Sequence, residues 1–238
     1  MATTFITLVN DTLRRLNEVE LTATDFSTAS GFRAQVKDAV NASLQEVSQK
    51  EFEFPFNFTS ASLTLTAGTA EYSLASDFKI ADWDSFRIAK DDDINADART
   101  LRLINYDTFL DRFYERDGNA TSSDYTTPVH IYRTLSNKAG FTPLPDKAYT
   151  VNYNYFAFST DLSASTDTMS VPDQFKHVVI DGALYHTYMF RDNAQQAAIT
   201  KQKFEEGVER MRTLLVNRFT DVRDTRVGRL IAVPHGSF

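Results

Sequence analysis

Apolar side chains recur at helical spacing at both ends of the chain. In four segments they follow i, i+3, i+4 spacing, which places them along one face of an α-helix. The pattern predicts helices over residues 3–17, 31–51, 173–191 and 193–219. The predicted core positions are Phe5, Leu8, Val9, Leu13 and Leu16; Phe32, Val36, Ala39, Val40, Leu44 and Val47; Phe175, Val178, Val179, Ala183, Leu184 and Met189; and Ala197, Phe204, Val208, Met211, Leu215 and Phe219.

The region between the two helix pairs alternates apolar and polar residues, as half-buried strands do. Phenylalanine at every second position of Phe52–Phe58 predicts a first extended segment whose rings join the helices to a sheet. Ser62–Thr66 and Glu71–Leu74 flank a four-residue turn and predict a β-hairpin. Tyr149–Tyr155 predicts a later strand that carries its tyrosines on one face.

These two periodicities together predict an α+β fold with an extended C-terminal arm. Short helix pairs are marginal on their own, so we expect the N- and C-terminal pairs to form one four-helix bundle. The bundle is assigned to residues 1–52 and 172–219, and an antiparallel β domain of residues 53–171 is inserted between its halves. Residues 220–238 lose the helical period and are expected to form the arm.

The composition excludes several classes of protein. Hydrophobic residues make up 42% of the 238 residues, which suffices for a buried core. No apolar stretch approaches the ~18 residues of a transmembrane helix, and the first residues lack the basic and apolar regions of a signal peptide. The chain has no cysteine, so disulfides, thiol catalysis and thiolate metal sites are excluded, and a reducing cytosol is the expected place of assembly.

Charge is distributed unevenly along the chain. The formal net charge is -7, which disfavours general nucleic-acid binding. Residues 201–238 nevertheless hold eight basic and five acidic side chains, a net charge of +3, so the remainder carries -10. An acidic body with a basic end predicts that this end meets an acidic partner.

The arm is the candidate binding segment. Its arginines recur every three to five residues before an apolar run, a composition suited to ordering on a protein surface. The alternatives are a frayed helix end with solvated charges and a DNA-binding tail, which Asp221 and Asp224 disfavour. The residues expected to bind the partner are Arg218, Arg223, Arg226, Arg229, Leu230, Ile231, Val233 and Phe238.

Catalytic and metal-binding motifs are absent from the sequence. His177 and His186 lie nine residues apart on one predicted helix, which is not the spacing of a metal-binding pair, and His130 and His235 stand alone. Asp91–Asp93 with Asp97 lacks the glycine and distal glutamate of a calcium loop. There is no Gly-x-Ser-x-Gly elbow and no glycine-rich phosphate loop. No catalytic residue, metal or cofactor is therefore expected.

Four segments carry a family resemblance. They are the opening helix around Leu8–Leu16, the second helix running into Phe52–Phe58, the turn Phe141–Asp146 before a tyrosine-rich strand, and Val171–Phe175 opening a helix that ends near Arg191. In these features the chain resembles the head-to-tail adaptor (connector) proteins of tailed bacteriophages, the tail-tubular or head-completion family. The likeness spans nearly the whole chain.

The resemblance implies a structural virion protein rather than an enzyme. Such adaptors form a ring of twelve copies beneath a dodecameric portal protein, at the head-tail junction. The helical bundle makes the ring, the arm reaches the portal, the β portion faces a downstream tail or nozzle protein, and viral DNA passes through the lumen. No membrane partner is implied. An acidic body agrees with passage of DNA without specific binding.

Two other functions remain open from the sequence. A virion-associated cell-wall hydrolase would use Glu51 and Glu53 as a carboxylate pair. A carbohydrate-binding tail component would use exposed rings of Tyr149, Tyr153 and Tyr155.

Overall fold

The computed structural model describes residues 3–50, 53–89 and 99–216. Within these ranges the chain forms helices at both ends and two β-sheets between them, which confirms the α+β class. The helices are α1 (Phe5–Arg15), α2 (Ala23–Ser27), α3 (Phe32–Gln49), α4 (Tyr106–Arg112), α5 (Tyr114–Gly118), α6 (Lys176–Phe190) and α7 (Ala194–Leu215). The strands are β1 (Phe58–Leu65), β2 (Glu71–Tyr72), β3 (Phe78–Ile88), β4 (Arg99–Thr100), β5 (Arg102–Ile104), β6 (His130–Arg133), β7 (Ala139–Thr142) and β8 (Tyr149–Ala157).

The four long helices share one hydrophobic cluster, and α6 contacts each of the other three. Glycines let the helices approach closely on two sides of α6. A Cβ atom at Gly182 would lie 2.2 Å from Ser43 Oγ of α3 and 2.8 Å from the ring of Phe204 of α7. A Cβ at Gly207 of α7 would lie 2.8 Å from Val178. The helices α3 and α7 can therefore lie this close to α6 because positions 182 and 207 are glycines.

Most of the predicted core positions on these helices are buried. The prediction that Met189 is a core residue is wrong, because Met189 is 54% exposed near the end of α6. Phe32 and Leu215 are partly buried at the edge of the cluster, and Phe219 lies outside the described residues. Arg191 stacks its guanidinium 3.9 Å from the ring centre of Phe32, so the edge of the cluster is covered by a charged side chain.

The strands pair differently from the sequence-based prediction. One sheet has the order β1-β8-β3-β4 and the other the order β2-β7-β6-β5. The predicted hairpin is wrong, because β1 pairs with β8 and β2 pairs with β7 in the other sheet. The β part is also not wholly antiparallel, since β5 and β6 run parallel. Both corrections concern partners distant in sequence, which local turn patterns do not encode.

The phenylalanine segment before the first sheet is not extended as predicted. Pro55–Asn57 forms a turn of 3-10 helix, and the strand begins only at Phe58. Phe54 is buried among the helices and stacks on Phe56 with ring centres 5.1 Å apart. Proline at the first position of the 3-10 turn has the backbone angle that such a turn needs. These two rings pack against the helical cluster and so connect the helices to the start of the first sheet.

A loop of residues 158–172 returns the chain from the sheets to the helices. Asn41 of α3 holds this loop through two hydrogen bonds, from its Nδ2 to Leu162 O and from Leu162 N to its Oδ1, both 3.0 Å. The loop then binds the start of α1, because Phe5 N donates to Asp167 O at 2.7 Å and Ile6 N donates to Ser165 O. Leu162, Met169 and Val171 join the helical cluster. The loop is therefore part of the packed body.

Asp167 organises this loop by accepting backbone hydrogen bonds from Ser163 and Ala164, which lower the pKa of its carboxyl. A lowered folded-state pKa contributes stability that is present above the unfolded value of about 3.8 and lost as the pH falls below it. We expect Asp167→Asn to speed amide hydrogen exchange of Phe5 and Ile6 at neutral pH and to weaken the acid dependence of the melting temperature. Asp111→Asn, on the exposed side of α4, is the control. Unchanged exchange in Asp167→Asn would contradict this role.

Lys79 of β3 joins the sheet to the end of α3. Its Nζ donates to Ser48 O at 2.6 Å and to Lys50 O, and so satisfies carbonyl groups that a helix end leaves unpaired. Burial lowers the pKa of this ammonium, and the charge of Glu53 opposes that shift. A cation at a helix C-terminus also interacts favourably with the helix dipole. The first sheet is thus connected to the helices by a specific polar contact as well as by Phe54.

Candidate partner-binding site

The predicted arm lies outside the residues that the structure describes. Helix α7 ends at Leu215, so the described chain stops directly before the arm. The untested residues are Arg218, Arg223, Arg226, Arg229, Leu230, Ile231, Val233 and Phe238. Their partner-binding role remains a prediction.

The last turns of α7, which lead into the arm, form a charged and largely exposed surface. Leu214 is 71% exposed, and Glu206 pairs with Arg210 at 3.6 Å along the helix. A cleft of about 780 Å³ lies between this helix and the end of α3, lined by Gln49, Lys50, Glu205, Glu206, Val208, Glu209 and Arg210. Exposed ion pairs of this kind contribute little to stability. Removal of these ion pairs should therefore leave the helical fold intact.

The described part of the chain shows no metal centre. No group of three histidine or acidic side chains in the described ranges could hold an ion. His186 lies 3.5 Å from Glu46 without forming a hydrogen bond, and His177 is exposed. Burial, together with the charges of Arg102 and Arg116, lowers the pKa of His130, which favours a neutral ring. His235, Asp91–Asp93 and Asp97 lie outside the described residues.

The carboxylate pair suggested for a hydrolase is only half described. Glu51 lies outside the described residues, and Glu53 is exposed next to Phe54. Glycosidases hold an acid and a second carboxylate on either side of the scissile bond. The described residues leave the geometry of this pair untested.

The carbohydrate-binding alternative is wrong for the three tyrosines to which it was assigned. Tyr149, Tyr153 and Tyr155 do share one face of β8, but that face is buried in the core of the β part. Tyr153 stacks on Phe86 with ring centres 4.8 Å apart, and its hydroxyl accepts a hydrogen bond from Ala75 N. Tyr155 donates from its hydroxyl to Asp77. A sugar could reach none of these rings without opening the core.

A second aromatic cluster does reach the surface, and no sequence motif marks it as a site. It borders a groove of about 560 Å³ between the helices α4 and α5 and the sheet of β6 and β7. Its members are Tyr106, Phe109, Tyr114 and Tyr132, with Glu71, Glu115 and Asp117 beside them. Phe109 lies on α4, and Tyr114 begins α5. Tyr132 and Glu71 come from distant strands, so only the tertiary structure brings the set together.

No helix in the described ranges is both long enough and apolar enough to cross a membrane. The described residues thus present helices with a shared core, a charged end of α7 and one open aromatic groove.

Comparison with known proteins agrees with this picture. A search of curated proteins finds no match to this chain. The sequence pattern of the SU10 adaptor protein family matches residues 3–230, which include both helical ends, the β part and all three arginines of residues 220–238. The match confirms the resemblance to phage head-to-tail adaptors, and it identifies a structural component of a phage virion that contacts other head and tail proteins. By this match over nearly its whole length, the chain belongs to the SU10 adaptor protein family.

Proposed function

We propose that this protein forms a ring of twelve copies that joins a dodecameric portal protein to the phage tail and lines the channel for DNA. The family match over residues 3–230 is the observation that carries the proposal. Each copy would sit at the head-tail junction, after assembly in the host cytoplasm.

The helical part is proposed as the ring-forming unit, with its four long helices arranged as a bundle. A ring subunit needs a rigid body, and a closely packed interior is rigid because it has low compressibility. The approach of α3 and α7 to Gly182 supports such a body. Ion pairs at the surface, Arg15 with Asp181 at 2.7 Å and Lys176 with Asp11 at 3.3 Å, also connect α1 with α6.

The arm of residues 220–238 is proposed to bind the portal. Its arginines can pair with carboxylates, and Leu230, Ile231 and Val233 can fill an apolar groove. Coupled folding of such a segment uses part of the interaction energy for ordering but covers a large surface. Residues 201–238, which include the arm, carry a net charge of +3 against -10 for the remaining chain, which supports contact with a partner distinct from the body.

The acidic body is proposed to let DNA pass without specific binding. Like charges suppress contacts with phosphates, and non-specific DNA affinity comes mainly from lysine and arginine. The β part is proposed to face a downstream tail or nozzle protein.

The experiment that tests the proposal is native mass spectrometry of this chain mixed with the portal protein of the same phage. A complex that contains one portal ring and twelve copies of this chain is the expected result. Absence of any complex, under conditions in which the portal is itself dodecameric, would contradict the adaptor role at the portal. A ring of another size would contradict the stoichiometry alone.

A further inference from the structure

The open groove beside α4 and α5 has an aromatic floor. Phe109 and Tyr132 stack with ring centres 3.9 Å apart and an interplanar angle of 16°. Tyr106 lies 6.0 Å from both rings, and Tyr114 meets Phe109 edge-on at 6.2 Å. Tyr132 and Phe109 are buried, whereas Tyr114 is 58% exposed and forms the rim.

The position of Tyr132 depends on a glycine in the neighbouring strand. A Cβ atom at Gly140 of β7 would lie 2.2 Å from the Tyr132 ring, so any other residue there would displace the ring. The register of β6 and β7 places the two residues directly opposite each other. The floor of the groove is therefore held by the sheet and does not need a ligand to form.

Carboxylates surround this floor, and no lysine or arginine is among the described residues that line the groove. Glu71 and Glu115 are exposed and form no ion pair within the described ranges. Asp117 binds Arg116 through Oδ1, while its Oδ2 is buried and accepts no hydrogen bond in the described part of the chain. Burial, then the charges of Glu71 and Asp117, raise the pKa of the Tyr132 hydroxyl. Of the three carboxylates that line the groove, only Asp117 has a cationic partner in the described ranges, so this lining carries an excess of negative charge.

Aromatic faces combined with unpaired carboxylates are complementary to one kind of side chain. A guanidinium group stacks flat on tyrosine and phenylalanine rings and donates to carboxylates at its edge. Lysine offers a point charge without a stacking plane. A neutral side chain would leave the carboxylates without a partner.

We propose that this groove binds an arginine side chain presented by an extended segment of a partner protein. The ring faces of Tyr106 and Tyr114 stack on the guanidinium, and Glu71 and Glu115 accept its N–H groups. Anchors of this kind, an arginine in an aromatic pocket, dominate the affinity of many interfaces. The inference does not depend on the portal-binding arm, because every residue of the groove lies between positions 68 and 144.

The test is an NMR titration of the full chain with N-acetyl-arginine amide, monitored at the amides of residues 106–119 and 132. N-acetyl-citrulline amide is the matched neutral probe, and N-acetyl-lysine amide is the matched cation without a plane. We expect saturable shifts with the arginine probe, at least threefold weaker binding of the lysine probe, and none with citrulline. Equal shifts with citrulline, stronger binding of lysine, or shifts confined to other regions would overturn the proposal.

Variants locate the binding within the groove. Glu71→Gln and Tyr114→Ala both change exposed side chains, so the fold should persist, and each should weaken binding about 3- to 10-fold. Asp107→Asn, on α4 outside the groove, should leave binding unchanged. Unaltered binding in both groove variants would overturn the proposal. Tighter binding after deletion of residues 223–238 would instead mean that the chain's own arm occupies the groove, and would also overturn it.

Discussion

Gly182→Ala is expected to destabilise the helical part by about 2 kcal/mol, although alanine is the better helix former. The gain in helix propensity is about 1 kcal/mol, and overpacking of a close contact costs about 1–3 kcal/mol or more. The new methyl group would meet Ser43 Oγ at 2.2 Å and the Phe204 ring at 2.8 Å. Ser43 cannot move freely, because its Oγ donates to Val179 O at 2.9 Å. The overpacking cost should therefore exceed the gain.

Thermal denaturation followed by far-UV circular dichroism measures this effect, with an expected fall in the midpoint of roughly 4–8 °C for a chain of this size. Gly118→Ala is the matched control, since a Cβ at Gly118 meets nothing within 4 Å. Combining Gly182→Ala with Ser43→Ala should recover part of the loss, because the closest clash is removed. An unchanged midpoint in Gly182→Ala would contradict the close approach of α3 and α6.

The same variant tests whether helices and sheets unfold separately. The only tryptophan, Trp83, lies in β3, so its fluorescence reports on the β part while far-UV dichroism reports mainly on the helices. If the boundaries at residues 53 and 171 separate two units, Gly182→Ala should shift the dichroism midpoint more than the fluorescence midpoint. Equal shifts would mean that the contacts of Lys79 and Phe54 couple both parts into one cooperative unit.

Deletion of residues 223–238 is expected to abolish portal binding while leaving the fold intact. Helix α7 ends at Leu215, before the deletion, so its described contacts with α6 are retained. Loss of three arginines and the apolar run Leu230–Val233 would remove the binding segment that the sequence predicts. We expect at least a 100-fold weaker affinity for the portal protein, equivalent to about 2.8 kcal/mol.

Surface plasmon resonance against immobilised portal protein measures the loss, and circular dichroism verifies the fold. The matched control is the double substitution of Arg210 and Arg212 by alanine, which removes two exposed arginines of α7 paired with Glu206 and Glu209. Such pairs contribute little, so stability and binding should both persist. Replacing Arg223, Arg226 and Arg229 by glutamine would separate the ionic contribution, which should also weaken with added salt. If the truncated chain binds as tightly as the full chain, the arm has no role at the portal.

Much of the secondary structure was predictable because it depends on local periodicity. The stripes of α1 and α3 are buried as expected, since a helix of period 3.6 presents the same face along its length. The strand predicted over Tyr149–Tyr155 also lies where alternation placed it. The family likeness followed from the same local segments.

The same local signals failed where two strands had to be matched. The turn between Thr66 and Glu71 resembles a hairpin turn, yet β1 pairs with β8, more than eighty residues away, through a full eight-residue register. Likewise, alternation showed that Tyr149, Tyr153 and Tyr155 share a face but did not reveal whether that face meets solvent or core. The two-residue period of a strand separates its side chains into two faces. Which face is buried depends on the elements that pack against the strand.

The sequence by itself therefore determined the α+β class, the long helices with their apolar faces, the missing catalytic motifs, and the likeness to phage adaptors. Only the tertiary structure decided which strands pair, why Gly182 and Gly140 must lack side chains, and that Tyr106, Tyr132 and Glu71 border one groove. The physical reason is the distance along the sequence between the residues that interact. Helix and strand periods arise from residues a few positions apart, whereas pairing, close approach and groove formation arise between segments that only folding brings together.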